Sequence, residues 1–97
     1  MLIRYITHTK KADNCKSVEE ITEYKYYKSD DLIKEIYSAT KKDFCDKFYS
    51  DGSVFTHNLK GEQAECELRI SAKNKERFLQ TIQNKTTTDN LLTLPSF

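Results

Sequence analysis

The sequence predicts an α+β fold: a single domain with elements in the order ββαββα, forming a four-stranded antiparallel sheet with two helices on one face. Three observations carry this expectation. Runs rich in β-branched and aromatic residues recur at 2–9, 22–28, 53–59 and 63–72. Apolar residues switch to a helical period after Asp30 and again after Asn74. The length of 97 residues suits one hydrophobic core, because two halves would each be too small to bury one.

The first strand is read over 2–9 (LIRYITHT), which no turn residue interrupts. Lys10 to Ser17 is polar and reads as the connection of a wide hairpin. Val18 to Lys28 supports two readings. Ser17 with Glu20 has the form of a capping box, and Val18, Ile21 and Tyr24 fall at helical spacing. Thr22 to Lys28 (TEYKYYK) instead alternates charged with aromatic residues, as a half-exposed strand does, and the strand is preferred.

From Asp30 a helix is expected, with Ile33, Ile36, Tyr37, Thr40, Phe44 and Phe48 tracing one stripe. Ser29 or Asp30 serves as its N-cap, and Asp30 and Asp31 suit the positive end of its dipole. Asp51-Gly52 supplies the stop. Two further strands follow, Ser53 to Leu59 and Gln63 to Ala72, joined by a turn at Lys60-Gly61-Glu62. In the second, Ala64, Cys66, Leu68 and Ile70 alternate with Glu65, Glu67, Arg69 and Ser71, the mark of a half-buried antiparallel strand. A short helix is expected from Asn74, burying Phe78, Leu79 and Ile82. Residues 1–85 form the compact domain. Residues 86–97 form a tail whose apolar end, Leu91 to Phe97, either docks on the domain or reaches a partner.

Charge narrows the function. Sixteen Lys and Arg nearly cancel fifteen Asp and Glu, for a formal net charge of +1, so the basic excess of a dedicated nucleic-acid binder is missing. Cys15, Cys45 and Cys66 are odd in number and form no C-x-x-C pair, which argues against a disulfide framework or zinc knuckle and fits a reducing compartment. The segment Met1-Leu2-Ile3-Arg4 carries neither a signal-peptide core nor a membrane span, so a cytoplasmic location without membrane contact is expected. Lys outnumbers Arg, and Asn, Ile and Tyr are frequent, as in the AT-rich genes of phages and mobile elements.

No catalytic residue, metal site or cofactor is assigned. His8 and His57 fall in expected strands that could be neighbours in the sheet, but their spacing to Cys15 and Cys66 supports neither zinc binding nor an activated thiol. Asp30-Asp31 and Glu19-Glu20 are accounted for as helix-start or exposed-strand residues, and Gly52 and Gly61 sit in turns with no phosphate-binding loop. The strongest surface signal is the cluster Tyr24, Lys25, Tyr26, Tyr27 and Lys28, joined by Arg4 and Tyr5 from the neighbouring strand. Tyrosine suits a protein interface, because it joins apolar area to a hydrogen-bonding tip. Aromatic rings with Lys and Arg would also suit bases and phosphates.

The expected function is therefore a small non-enzymatic interaction protein that binds and inhibits another protein, of the kind phages and mobile elements direct at a host enzyme or defence complex. Its alternatives are a single-stranded nucleic-acid-binding module, and a small nuclease toxin using His8, His57, Arg69, Arg77 and the tyrosines. A homodimer that pairs sheet edges or exchanges the tail is compatible with any of them.

Overall fold

The structure, a computed structural model, describes residues 2–11, 17–30, 35–48, 52–58, 61–82, 91 and 94–97. Its strands are β1 (Leu2–Lys10), β2 (Glu23–Lys28), β3 (Tyr37–Thr40), β4 (Gly52–His57), β5 (Gln63–Ile70) and β6 (Arg77–Thr81). They form one six-stranded sheet in the order β3-β2-β1-β4-β5-β6. β1 and β4 run parallel, and every other neighbouring pair is antiparallel. The α+β expectation is thus corrected: in place of ββαββα with two helices, the described residues form a sheet-dominated fold in which the helix expected from Asp30 is reduced to α1 (Lys41–Asp43), continued by a π-helical turn, Phe44–Phe48.

Side-chain alternation divides the sheet into two faces. Ile6, Tyr24, Tyr26, Val54 and Thr56 are buried on one face, while Tyr5, Lys25, Tyr27, Phe55 and His57 between them point the other way and are only partly buried. The alternation changes phase inside β1. Ile6 pairs with Tyr26 and His8 pairs with Lys25, so Thr7 is an extra residue, a β-bulge. Beyond it Thr9, opposite Tyr24, turns inward and is fully buried.

The long helix expected from Asp30 is confined to 41–48, and strand β3 takes 37–40. Ser29 does not cap a helix: its hydroxyl accepts from Ile3 N (3.0 Å), and its own N–H donates to Ile3 O (2.8 Å). Tyr37 to Thr40 then supplies the outer edge of β2 with backbone partners, and Tyr37 and Ala39 pack against the core while Ser38 and Thr40 are exposed. The helix starts only at Thr40, whose Oγ1 accepts from Asp43 N (3.2 Å). Ile33, with the rest of 31–34, lies outside the described residues.

The helix expected from Asn74 is instead strand β6. Ser71 and Glu76 close a turn (Ser71 N to Glu76 O, 2.9 Å), Asn74 Oδ1 accepts from Glu76 N (3.0 Å), and Lys75 takes a left-handed φ of 61°. The edge of β5 from Cys66 to Ile70 is then paired residue for residue. Phe78, Leu79 and Ile82 fit a helical stripe and a strand equally, but the structure leaves Ile82 exposed. In 18–28 each reading holds for part of the segment. Ser17 caps a single 3-10 turn, Val18–Glu20, and β2 follows. The strands expected at 2–9, 53–59 and 63–72 correspond to β1, β4 and β5.

The core lies on the inner face. Phe44 meets Tyr24 and Tyr26 edge-on at centroid distances of 5.4 and 5.1 Å, and Val18, Ile21, Leu91 and Leu94 complete the cover. The tail reaches this position along β1. Pairing with β4 ends at Ile6, and the edge beyond is taken by Pro95 and Ser96, with Thr9 N donating to Pro95 O (3.0 Å). Lys11 Nζ fixes the arrangement by donating to Thr9 Oγ1 (2.8 Å) and Leu94 O (2.9 Å).

Gly52 acts as a point of close approach, because a Cβ there would lie 2.0 Å from Leu2 O across the parallel pair. Gly61, with φ of 84°, has open space around it. Gly52→Ala should therefore cost about 2–3 kcal/mol through displaced backbone, and Gly61→Ala about 1 kcal/mol through conformation alone. Urea midpoints measure both, and equal losses would contradict the close approach.

Candidate functional site

The sheet splits the tyrosine cluster. Tyr24 and Tyr26 are buried at 0% and 6% exposure, and Arg4, at 6%, lies beneath the sheet with its guanidinium hydrogen-bonded to the Tyr26 hydroxyl. Lys28, opposite Arg4, places its ammonium 4.7 Å from the Tyr37 ring centroid. On the other face the structure gathers Tyr5, Lys25 and Tyr27. Adjacent residues of a strand point to opposite sides, so Tyr26 and Tyr27 cannot share a surface.

Sequence reasoning had not included Phe55 in this surface. Tyr5, on the central strand, stacks on Tyr27 of β2 (5.0 Å, 23°) and meets Phe55 of β4 at 6.2 Å and 40°. His57 approaches Tyr5 and Tyr27 at 5.9 Å each. The outcome is a ridge of rings across β2, β1 and β4, with one face of the Tyr5 ring stacked on Tyr27. Two exposed apolar residues flank it, Ile36 at 50% and Phe97 at 36%. The Phe97 ring lies 4.6 Å from the Lys25 ammonium. The signal available in the sequence was the Val54-Phe55-Thr56-His57 alternation, which places Phe55 and His57 together.

At the end of the ridge the bulge turns Thr7 and His8 outward, just where β4 ends at His57. Thr7, His8, Tyr27, Ile36, His57, Asn58 and Gly61 line an open depression of about 520 Å³. Each imidazole is held at Nδ1: Thr7 Oγ1 lies 2.8 Å from His8 Nδ1, and the Tyr27 hydroxyl hydrogen-bonds His57 Nδ1. Burial, and secondarily Tyr5, raises the Tyr27 pKa, so the phenol keeps its proton at neutral pH. Asn58 is committed to the turn, with Oδ1 accepting from Glu62 N (2.9 Å) and Nδ2 donating to Glu62 Oε1 (3.2 Å).

The other residues weighed for chemistry lie elsewhere. Arg69 pairs with Glu67 (3.6 Å) and Arg77 with Asp46 (3.3 Å), on β5 and β6. A second cleft, of about 430 Å³, is lined by Lys41, Lys42, Asp46, Lys75, Glu76 and Arg77, and its two carboxylates pair with Lys41, Lys42 and Arg77. Cys45 and Cys66 are free and buried. Burial and Asp46 push the Cys45 thiol up to about 11, against the opposing pull of Lys41 and Arg77, so it is no nucleophile at neutral pH. Among the described residues no three of His, Cys, Asp and Glu converge as a metal site, and no helix is long and apolar enough to cross a membrane.

A family model described as protein of unknown function (DUF3892) matches residues 5–95, and the chain belongs to that family. No curated protein and no solved structure matches it.

The Cys45 shift has a consequence at alkaline pH. A thiol in the unfolded chain ionises near 9.0, whereas Cys45 in the fold holds its proton to about 11. Unfolding between these values releases a proton, so stability, fully present below pH 9.0, falls as pH rises through this window. The raised Tyr26 and Tyr27 act in the same direction from their ordinary 10.0 upward. Urea midpoints measured across the window should decline, and Cys45→Ala should flatten the early part of the decline. An unchanged slope in that variant would mean that Cys45 ionises normally in the fold.

Proposed function

We propose that this DUF3892 chain is a non-enzymatic interaction domain that binds another protein through the open face of its sheet. The observation that carries the reading is the ridge Tyr27–Tyr5–Phe55, flanked by exposed Ile36 and Phe97. Partly buried aromatic rings with apolar neighbours are the composition of an interface centre, where ordered rings bring large contact area at little entropic cost. A binding domain without chemistry of its own affects its target by covering it, and inhibition is the effect we propose. Free, buried Cys45 and Cys66 support a reducing cytoplasmic setting.

The ring packing favours protein over single-stranded nucleic acid. Base stacking needs an available ring face, and the stack of Tyr5 on Tyr27 takes one from each of these rings. Charge points the same way, because Lys25 shares this face with Glu23 and Glu65 and makes no basic stripe.

The test pairs two substitutions at exposed isoleucines. Ile36, at 50% exposure, borders the ridge, and Ile70, at 66%, lies at the far end of β5, so Glu at either position leaves the core intact. In affinity capture from lysate of the source organism, Ile36→Glu should lower recovery of the bound protein at least about tenfold, a loss of roughly 1.4 kcal/mol. Ile70→Glu should leave recovery unchanged. Equal recovery by both variants would take the open face out of the account. Loss of the captured material on nuclease treatment, with steep salt dependence, would replace the protein reading with the nucleic-acid one.

A further inference from the structure

The depression beside the ridge has features that a simple contact surface does not require. It is formed by a β-bulge that turns Thr7 and His8 to the same side and by the end of β4 at His57, so two imidazoles from neighbouring strands line one hollow. Bulges often re-aim side chains in this way next to sites. Each ring is fixed through Nδ1 by a hydroxyl, that of Thr7 for His8 and that of Tyr27 for His57. A hydroxyl that donates to Nδ1 places the hydrogen of the neutral ring on Nε2. With both hydroxyls donating, the remaining polar atom of each imidazole is an N–H donor; Thr7 Oγ1 lies nearer His8 Nδ1 (2.8 Å) than its other acceptor, Lys25 O (3.5 Å). The volume, about 520 Å³, lies in the range of small-ligand sites, and Ile36 and the Tyr27 ring contribute apolar wall.

We infer that this depression binds a carboxylate attached to an apolar group, with Nε2–H of His8 and of His57 donating to its two oxygens and Ile36 and Tyr27 receiving the apolar part. Two neutral donors match a monoanion. Lys25, opposite His8 on β2, adds one positive charge nearby, while Glu62, bonded to Asn58 at the rim, opposes a dianion such as phosphate. Asn58 is occupied by Glu62 and leaves recognition to the imidazoles. The inference rests on the open face being the working surface and adds a ligand chemistry to it.

The chain contains two histidines, so its imidazole resonances form two spin systems that single substitutions assign. The 15N-labelled full chain, alone, is titrated with sodium benzoate, with inorganic phosphate, and with a blocked peptide carrying one glutamate. Benzoate should shift both imidazoles saturably, with a Kd in the millimolar range, and phosphate should bind more weakly. His57→Ala should weaken benzoate at least about tenfold. Tyr27→Phe keeps the ring stacked on Tyr5 and removes the hydroxyl, so it should weaken binding about threefold to tenfold and move His57 away from the Nε2–H tautomer. Saturation by benzoate alone assigns a free acid, and tighter saturation by the peptide assigns an acidic side chain of a bound protein; each supports a carboxylate site.

Unmoved imidazoles, tighter binding of phosphate than of benzoate, or a Tyr27→Phe variant with unchanged affinity and tautomer would each overturn the inference. The titration contains no partner protein. It therefore reads the depression whatever Ile36→Glu does to capture, and the two proposals fail separately.

Discussion

One extra residue in the central strand decides which side chains each face of the molecule presents. Thr7 has no partner of its own on β2, and it resets the alternation of β1. In a regular strand His8 would follow Ile6 into the core and Thr9 would face outward. With the bulge, the imidazole stays at the surface and a threonine takes the buried place, where its hydroxyl receives the Lys11 ammonium (2.8 Å) and approaches Leu91 O (3.5 Å). The docking of the tail and the composition of the open face thus share one cause. A buried imidazole would have required a polar partner of its own in the core.

The parallel pairing of β1 with β4 is the second constraint. Five Cα pairs, from Leu2 with Gly52 to Ile6 with Thr56, bring Tyr5 opposite Phe55 and fix the depth at which β4 stops. Because β4 leaves where the bulge begins, the aromatic ridge ends in a hollow instead of continuing along the strand. The inner face shows the opposite economy. Tyr24, Tyr26, Phe44 and Val54 pack there with little exposure, and the helical segment 41–48 serves as a lid of two turns over them.

β1, β4 and β5 were legible from residue types alone, β5 by its regular alternation and β1 and β4 by extended-type composition. β2 was legible as well, although not the division of its tyrosines between faces, which follows once Tyr26 and Tyr27 are seen to be consecutive. β3 and β6 were not. Tyr37-Ser38-Ala39-Thr40 and Phe78-Leu79 are short enough that their apolar residues satisfy a helical and an extended period alike, and what decides between them is the unpaired edge of β2 or β5 beside them. The Thr7 bulge and the partnership of β1 with β4 carry no local signature. The geometry therefore escaped residue-level reading; Tyr5, Lys25 and Tyr27 were singled out for the open face, whereas His8 and His57 were weighed for other chemistry and set aside.

The bond from Thr9 N to Pro95 O has a temporal meaning as well as a structural one. During synthesis β2 follows β1 closely and takes one of its edges, while the other edge waits. The first half of that edge is taken by Gly52 to Thr56 and the rest by Pro95 and Ser96, nearly the whole chain later. Until then a nascent chain displays a strand of nine residues with open hydrogen-bonding groups, a template for mispairing with other chains. Pairings so distant in sequence slow folding. The molecule is consequently one in which β1 keeps one edge open until sequence-distant segments are present to pair with it.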